Sequence, residues 1–443
     1  MNVDEMLVFT AFLFISTTSL LPWNLFMNAH EYYHYKLRNI SDHRNESLIR
    51  EDNVTDLQRS YEGWITLISG FSCTLGSAVN FLTTGRVKNS FRIRAGHATV
   101  LLALIPTVLL TYINTDKSQL TFFWCSMVLS GFASFGSIGL IGCGLLGFSA
   151  KYPQKCVQAV MIGQSVAGIL SSLLSIVCQF LTTSDILNGR FFFFIACVWT
   201  VVSVLIYESL IRSKKMEAQL AWEVDNIDGL SGQRLLDPLG NDFEDEPPLQ
   251  LRSVQTNSFS DDVKLVWSKT NVEWWAGFVV IAGTLSAFPA LSSLVQTTAK
   301  NLIWKSRADI CDKHCLLISG IQIISGFLLD LSQDYVKMGI LRVNQKVLVI
   351  FSLLRLLTIP LFFFCNINPR RHSTTFFTSD IAFITIMTVF SFSNGFLYTT
   401  ATVNATNKVR QESRELTGSI FGFMGVISTL CGSLIGLLLV NII

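Results

Sequence analysis

Roughly eleven apolar stretches of about 20 residues follow one another along this chain, each long enough to cross a hydrocarbon core of about 30 Å. Half of the residues are hydrophobic, 14% are charged, and the mean hydropathy is +0.46. A water-soluble core cannot bury so much apolar surface. A bilayer solvates it, provided each backbone polar group is satisfied within a helix. The chain therefore reads as an all-α polytopic membrane protein. The spans fall near 6–27, 62–84, 97–113, 120–148, 156–181, 191–211, 272–294, 314–336, 347–366, 380–403 and 415–441. The fourth is long for one crossing, so it either tilts or carries its ends out of the hydrocarbon. The first is not a cleavable signal: Asp4 and Glu5 lead it, and the apolar run is too long.

The loops set the orientation. Residues 28–61 are polar and hold three N-glycosylation sequons, at Asn39, Asn45 and Asn53, which place this loop outside or in a lumen. Basic residues gather in the alternate loops: Arg86, Lys88, Arg92 and Arg94, then Lys151 and Lys155, then Lys337, Arg342 and Lys346, then Lys408, Arg410 and Arg414. By the positive-inside rule these are cytoplasmic. Arg370 and Arg371 fall on the outside and break the rule locally. The N-terminus is then cytoplasmic, the C-terminus extracellular, and the plasma membrane the expected location.

A second polar break, 212–271, starts basic and turns acidic, with a composition that favours disorder. It divides the chain into an N-terminal six-helix bundle (1–211) and a C-terminal five-helix bundle (272–443). Two bundles joined by a long inner loop suggest a transporter whose site lies between halves near the midplane. The net charge of +2 gives no reason to expect nucleic acid. No nucleophile–base set, metal motif or phosphate loop is present, so neither enzyme activity nor a cofactor or metal is expected. Most of the ten cysteines lie within spans, where a free thiol acts as a small apolar group.

Polar groups at mid-depth are costly and therefore informative. Span 1 carries Leu20-Leu21-Pro22-Trp23-Asn24-Leu25-Phe26-Met27. Pro22 frees a helical carbonyl, Trp23 offers a flat aromatic face, and Asn24 offers a donor and an acceptor. An interfacial tryptophan belt is the bland alternative for Trp23. Asn80, Gln164 and Asn394 are further amides within spans, suited to a neutral polar ligand. Glycines crowd spans 4, 5 and 11, where close helix packing is the first explanation.

These segments resemble the equilibrative nucleoside transporter family. The resemblance rests on Leu20 to Asn24, Ser134-Phe135-Gly136, Gln158 to Gln164, Phe288-Pro289, Cys365 to Arg371 and Phe392-Ser393-Asn394-Gly395, in order along nearly the whole chain. It implies a major-facilitator-like fold of 6+5 helices and passive movement of nucleosides through a central cavity. Leu20, Trp23 and Met27 would line that cavity, with Gly136, Gly163, Gln164 and Phe288 in or near it. The chain departs from the family in span 8, where an Asn, an Asp and a Gly-Arg are usual: Gln322, Ser325, Leu328 and Leu329 occupy that register, so the Asp and Arg are absent.

The candidate substrate-binding set is thus Leu20, Trp23, Asn24, Met27, Gly136, Gly163, Gln164, Phe288, Gln322, Ser325 and Asn394. Facilitative transport of nucleosides by alternating access is the leading reading, with nucleosides and the bilayer as partners and a monomer expected. The alternatives are a family member that moves nucleobases or organic cations, and a non-transporting receptor or scaffold. Finally, Asp330 and Arg355 lie at similar depths in consecutive spans, and an unpaired charge there costs about 2.5–3.5 kcal/mol, so each calls for a partner: an ion pair between them is one expectation, and separate snorkelling or pairing elsewhere is the equal alternative.

Overall fold

The computed structural model describes residues 3–38, 55–181, 184–213, 259–287, 344–366, 375–377 and 379–442. Twelve of the α-helices among the described residues position the site. They are α1 (Val3–Asn28), α2 (His30–Lys36), α3 (Asp56–Thr83), α4 (Asn89–Leu110), α5 (Gln119–Ser134), α6 (Cys143–Ser149), α7 (Gln154–Leu181), α8 (Asp185–Arg212), α9 (Phe259–Ala287), α10 (Gln345–Leu354), α11 (Asp380–Asn407) and α12 (Gln411–Ile442). Eight of the described segments are long and apolar enough to cross a membrane. Helices α7 and α9, of 28 and 29 residues, stand where spans 5 and 7 are expected. Span 8, the sequon asparagines Asn39, Asn45 and Asn53, Phe288, Gln322, Ser325 and Asp330 all lie outside the described residues.

Two boundaries differ from expectation. The helix that carries span 3 starts at Asn89 rather than 97, and the helix that carries span 7 at Phe259 rather than 272. The sequence pattern places Arg92 and Arg94 in a loop because charges end an apolar run. In the structure both sit on α4, each held by a carboxylate: Arg94 by Glu208 at 2.5 and 2.9 Å, Arg92 by Glu415 at 2.6 Å. At the start of α9, Asp261 and Asp262 complement the positive end of the helix dipole.

The long fourth span is accommodated by a change of helical pitch. Between α5 and α6 the backbone runs as a π-helix, Phe135–Gly142, whose wider turn takes up extra residues without a break. Its glycines let it wedge between neighbours. A Cβ on Gly139 would lie 2.7 Å from the Gly76 Cα on α3, and one on Gly136 would lie 2.7 Å from the Gly96 carbonyl oxygen on α4. The turn from α3 to α4 passes through Gly85 at φ 82°, a left-handed conformation that suits glycine.

One end of the molecule gathers the basic turns around Arg86–Arg94, Lys151 and Lys408–Arg414, and is called the basic end here. At the opposite end, α2 caps the first half. Lys36 Nζ donates to the Ile113 carbonyl at 2.7 Å, and Gln119 Nε2 donates to the Arg38 carbonyl at 2.8 Å. The α3 N-terminus is closed by a capping box in which Thr55 and Gln58 satisfy each other's backbone N–H groups.

The apolar cores follow the same division. Toward the basic end, one cluster joins the halves, with Val8, Phe12, Leu145 and Val157 of the first half packed together with Trp274, Val280, Ala401 and Ile420 of the second. Toward the α2 end the clusters are separate. Leu21, Phe26, Tyr32, Tyr61, Phe122 and Phe193 belong to the first half alone, and Phe362, Phe383, Met387 and Phe390 to the second alone. Among the described residues, then, shared packing runs from the basic end to mid-depth, where Cys73 and Cys143 meet Val426, while toward the α2 end the clusters are separate.

Candidate functional site

Helix α1 runs unbroken through Pro22. Below that point it is fixed to α7: Ser16 Oγ donates to the Val160 carbonyl at 2.6 Å, and Gly163 meets α1 so closely that a Cβ would lie 2.8 Å from Ser16 Cβ. Above it the helix presents two different faces. Leu21, Leu25 and Phe26 are buried in the first-half core, whereas Leu20, Trp23, Asn24 and Met27 are half-exposed. Those four recur at intervals of three and four, so they form one stripe along the helix. The stripe offers an aromatic face, an amide and two flexible apolar side chains.

Of the remaining residues expected at the site, Gln164 is half-buried on α7, one position past the Gly163 contact. Gly136 faces α4 and Gly163 faces α1, so both serve close helix packing. Asn394 on α11 is 6% exposed and lies against α9, with its Oδ1 at 2.6 Å from Thr284 Oγ1. Asn80 is committed elsewhere: its carbonyl oxygen and Oδ1 both accept from Arg92 Nη1, at 2.9 and 2.8 Å.

Arg355, expected to pair with Asp330, is 4% exposed and reaches between α9 and α11. Its Nε donates to Ser393 Oγ at 2.9 Å, Nη1 to the Val280 carbonyl at 2.6 Å and Nη2 to the Phe390 carbonyl at 3.0 Å. Its guanidinium lies 4.2 Å from the centre of the Phe390 ring, within cation–π range.

Two charged groupings near the basic end were not singled out by the sequence pattern. The first bridges the halves. Glu415 of α12 receives Arg92 Nη2 of α4 at 2.6 Å, and also Lys151 from the turn after α6. Arg92 is further held by Thr84 Oγ1 at 2.8 Å. Gln411 Nε2 donates across the same seam to the Lys151 carbonyl at 2.8 Å. The second lies within the second half. Glu273 of α9, fully buried, accepts from Lys408 and, at 3.0 Å, from Gln345 Nε2. The signal in the sequence was an acidic residue just inside an apolar run, on spans remote from the basic ones.

Beneath the seam's charges the backbones touch. A Cβ on Gly418 would sit 2.8 Å from the Gly147 Cα, and one on Gly422 would sit 2.9 Å from the Cys143 Cα. Helices α6 and α12 thus seal the basic end by direct approach of small residues, and Phe81 of α3 stacks on Phe423 at 5.5 Å beside them.

Comparison with known proteins agrees with this architecture. Among solved structures, the major facilitator superfamily proton:xylose symporter XylE superposes with a TM-score of 0.59 at 10% identity, over 97% of this chain and 86% of that one. The E. coli fucose:proton symporter FucP gives 0.55 at 11% identity, over 99% and 96%. These likenesses establish the fold. Equilibrative nucleoside transporter 1 of Homo sapiens is 25% identical over 447 residues, covering 94% of this chain and 93% of its own. Equilibrative nucleoside transporter 2 of Homo sapiens is 24% identical over 451 residues, covering 96% and 95%. The family model described as "Nucleoside transporter" matches residues 124–441, which take in the π-helical wedge, the buried Arg355 and the sealed α6–α12 seam, and the chain accordingly belongs to the nucleoside transporter family.

Proposed function

We propose that this protein moves nucleosides passively across a membrane by alternating access, and that the structure represents the state closed on the cytoplasmic side. The observation that carries this reading is the asymmetry between the ends. One apolar cluster and the Glu415 ion pairs join the halves at the basic end, while the cores at the other end are separate. The positive-inside rule makes the basic end cytoplasmic. Above the seal, Leu20, Trp23, Asn24 and Met27 line the path from the first half. Gln164 and Asn394 supply amide groups, and the Trp23 ring stacks on the base. Span 8 would complete the site through Gln322 and Ser325, and Phe288 would lie in or near it. The loop after α2 lies outside the cell and carries glycans at Asn39, Asn45 and Asn53.

Passive transport is supported by the acids of the two charged groupings among the described residues, Glu273 fully buried and Glu415 partly so. Glu273 and Glu415 are each neutralised by a basic side chain, which leaves neither available as a ligand for a coupling ion. The test is uptake of a labelled panel of nucleosides, nucleobases and organic cations by cells expressing the chain. Saturable nucleoside uptake that stops at equal concentrations, with sodium and proton gradients collapsed, is expected. Concentrative uptake lost on collapsing a gradient would overturn passive transport. Movement of nucleobases or cations alone would overturn the choice of substrate.

A further inference from the structure

Behind Asn394, a chain of hydrogen bonds between α9 and α11 ends on a buried cation. Thr284 Oγ1 lies 2.6 Å from Asn394 Oδ1 and 2.7 Å from the Val280 carbonyl oxygen. A hydroxyl has one proton to donate, so it satisfies only one of these acceptors at a time. The Val280 oxygen already has two donors. Within α9 it takes the backbone N–H four residues on, and from the residue just past α10 it takes Arg355 Nη1 at 2.6 Å. A carbonyl oxygen has two lone pairs, and the guanidinium bond is charge-assisted. The Thr284 proton is thereby directed to Asn394 Oδ1.

This choice fixes the amide. With its oxygen bound to Thr284, Asn394 must turn its –NH2 group the other way, and no described residue accepts from that nitrogen. Were Arg355 absent, the hydroxyl would return to the Val280 carbonyl and the amide would flip, since its two ends are nearly equal in shape. The same guanidinium grips α11 through Ser393 Oγ and the Phe390 carbonyl, so it also fixes the helix that carries Asn394.

We propose that Thr284 and Arg355 are positioning residues that hold Asn394 with its amide –NH2 toward the permeant, where it donates to an oxygen acceptor of a nucleoside. The inference rests on the nucleoside-transport reading and deepens it: Asn394 reads an acceptor, not a donor, and the orientation is imposed from behind by a cation that never touches the permeant.

The experiment is initial-rate uptake by Thr284→Val and Thr284→Ser, normalised to surface protein. The permeants are uridine and analogues lacking, one at a time, the 2′-, 3′- or 5′-hydroxyl or the base 4-oxygen. Thr284→Val should raise the KM for uridine about tenfold, with the maximal rate little changed, because the hydroxyl proton no longer holds the amide. Thr284→Ser should restore the wild-type KM. For the one analogue that lacks the acceptor, the penalty of Thr284→Val should vanish. An unchanged KM, a serine variant that fails to rescue, or an equal penalty for every analogue would overturn the proposal. If the wild-type chain takes up none of the nucleosides, the transport reading itself falls, before any variant is compared.

Discussion

Glu415→Gln is the sharpest test of the sealed state, because it removes charge from the seam and leaves shape nearly unchanged. Glu415 is 16% exposed and its partner Arg92 only 3%, so their bond at 2.6 Å is poorly screened. Deleting one partner of a buried pair outright costs about 3–5 kcal/mol. Glutamine keeps an acceptor oxygen, and Arg92 keeps Asn80 and Thr84, so the loss is closer to that between a charge-assisted and a neutral hydrogen bond, about 1–2 kcal/mol. Lys151 is 37% exposed, and its share is less than about 1 kcal/mol. A total near 2 kcal/mol shifts the closed-to-open ratio by about 30-fold. Cys143 reports the shift, because it is buried in the seam against Gly422 and becomes accessible only when α6 and α12 part. In a background with Cys143 as the single cysteine, an impermeant maleimide applied from the cytoplasmic side should label Glu415→Gln some tenfold or more faster than its parent. Folded yield should stay near that of the parent. Equal labelling rates in two well-folded proteins would refute the argument that these charges hold the halves together.

Three further outcomes follow from the packing. Gly147→Val should open the same seam, since its Cβ would meet Ser419 Oγ at 2.5 Å and the Glu415 carbonyl oxygen at 2.9 Å; slower transport with faster Cys143 labelling is expected, and normal transport would contradict it. Glu273→Ala removes a fully buried carboxylate from Lys408, whose side chain is 32% exposed and can be re-solvated, so it should cost about 1–3 kcal/mol, read as a lower melting temperature of the purified protein; an unchanged melting temperature would show that the pair contributes nothing net. Trp23→Ala should weaken nucleoside binding by about 1–3 kcal/mol if the ring stacks on a base, with normal surface expression; equal KM values would return Trp23 to a structural role.

What the sequence made legible was what hydropathy alone controls. Spans could be placed because a bilayer demands long apolar runs; Leu20, Trp23 and Met27 come from the family resemblance and Asn24 from being an amide within a span, and the structure adds that all four are half-exposed on one stripe of α1. Charges and amides near span ends resisted reading, because their meaning depends on remote partners. Arg92 counted as one more basic loop residue under the positive-inside rule, yet Glu415, far along the chain, draws it into α4 as part of the seal. Asn80 read as a ligand amide, and that same arginine consumes its oxygens. The π-helix also had no signature beyond an over-long span, since pitch is decided by the glycines it meets on α3 and α4.

Asp330, the carboxylate expected beside Arg355, lies outside the described residues. The described surroundings of Arg355 already supply two carbonyl oxygens, a hydroxyl and an aromatic face. A guanidinium spreads its charge over a planar fork, and several partial dipoles can each take one of its donors where an ammonium would need a single strong anion. The carbonyls come from α9 and α11, so the arginine ties together two helices of the second half. Its charge is then useful through the hydrogen bonds it pre-empts as well as those it makes: by occupying the Val280 carbonyl it decides which way the Thr284 hydroxyl, and with it the Asn394 amide, must face.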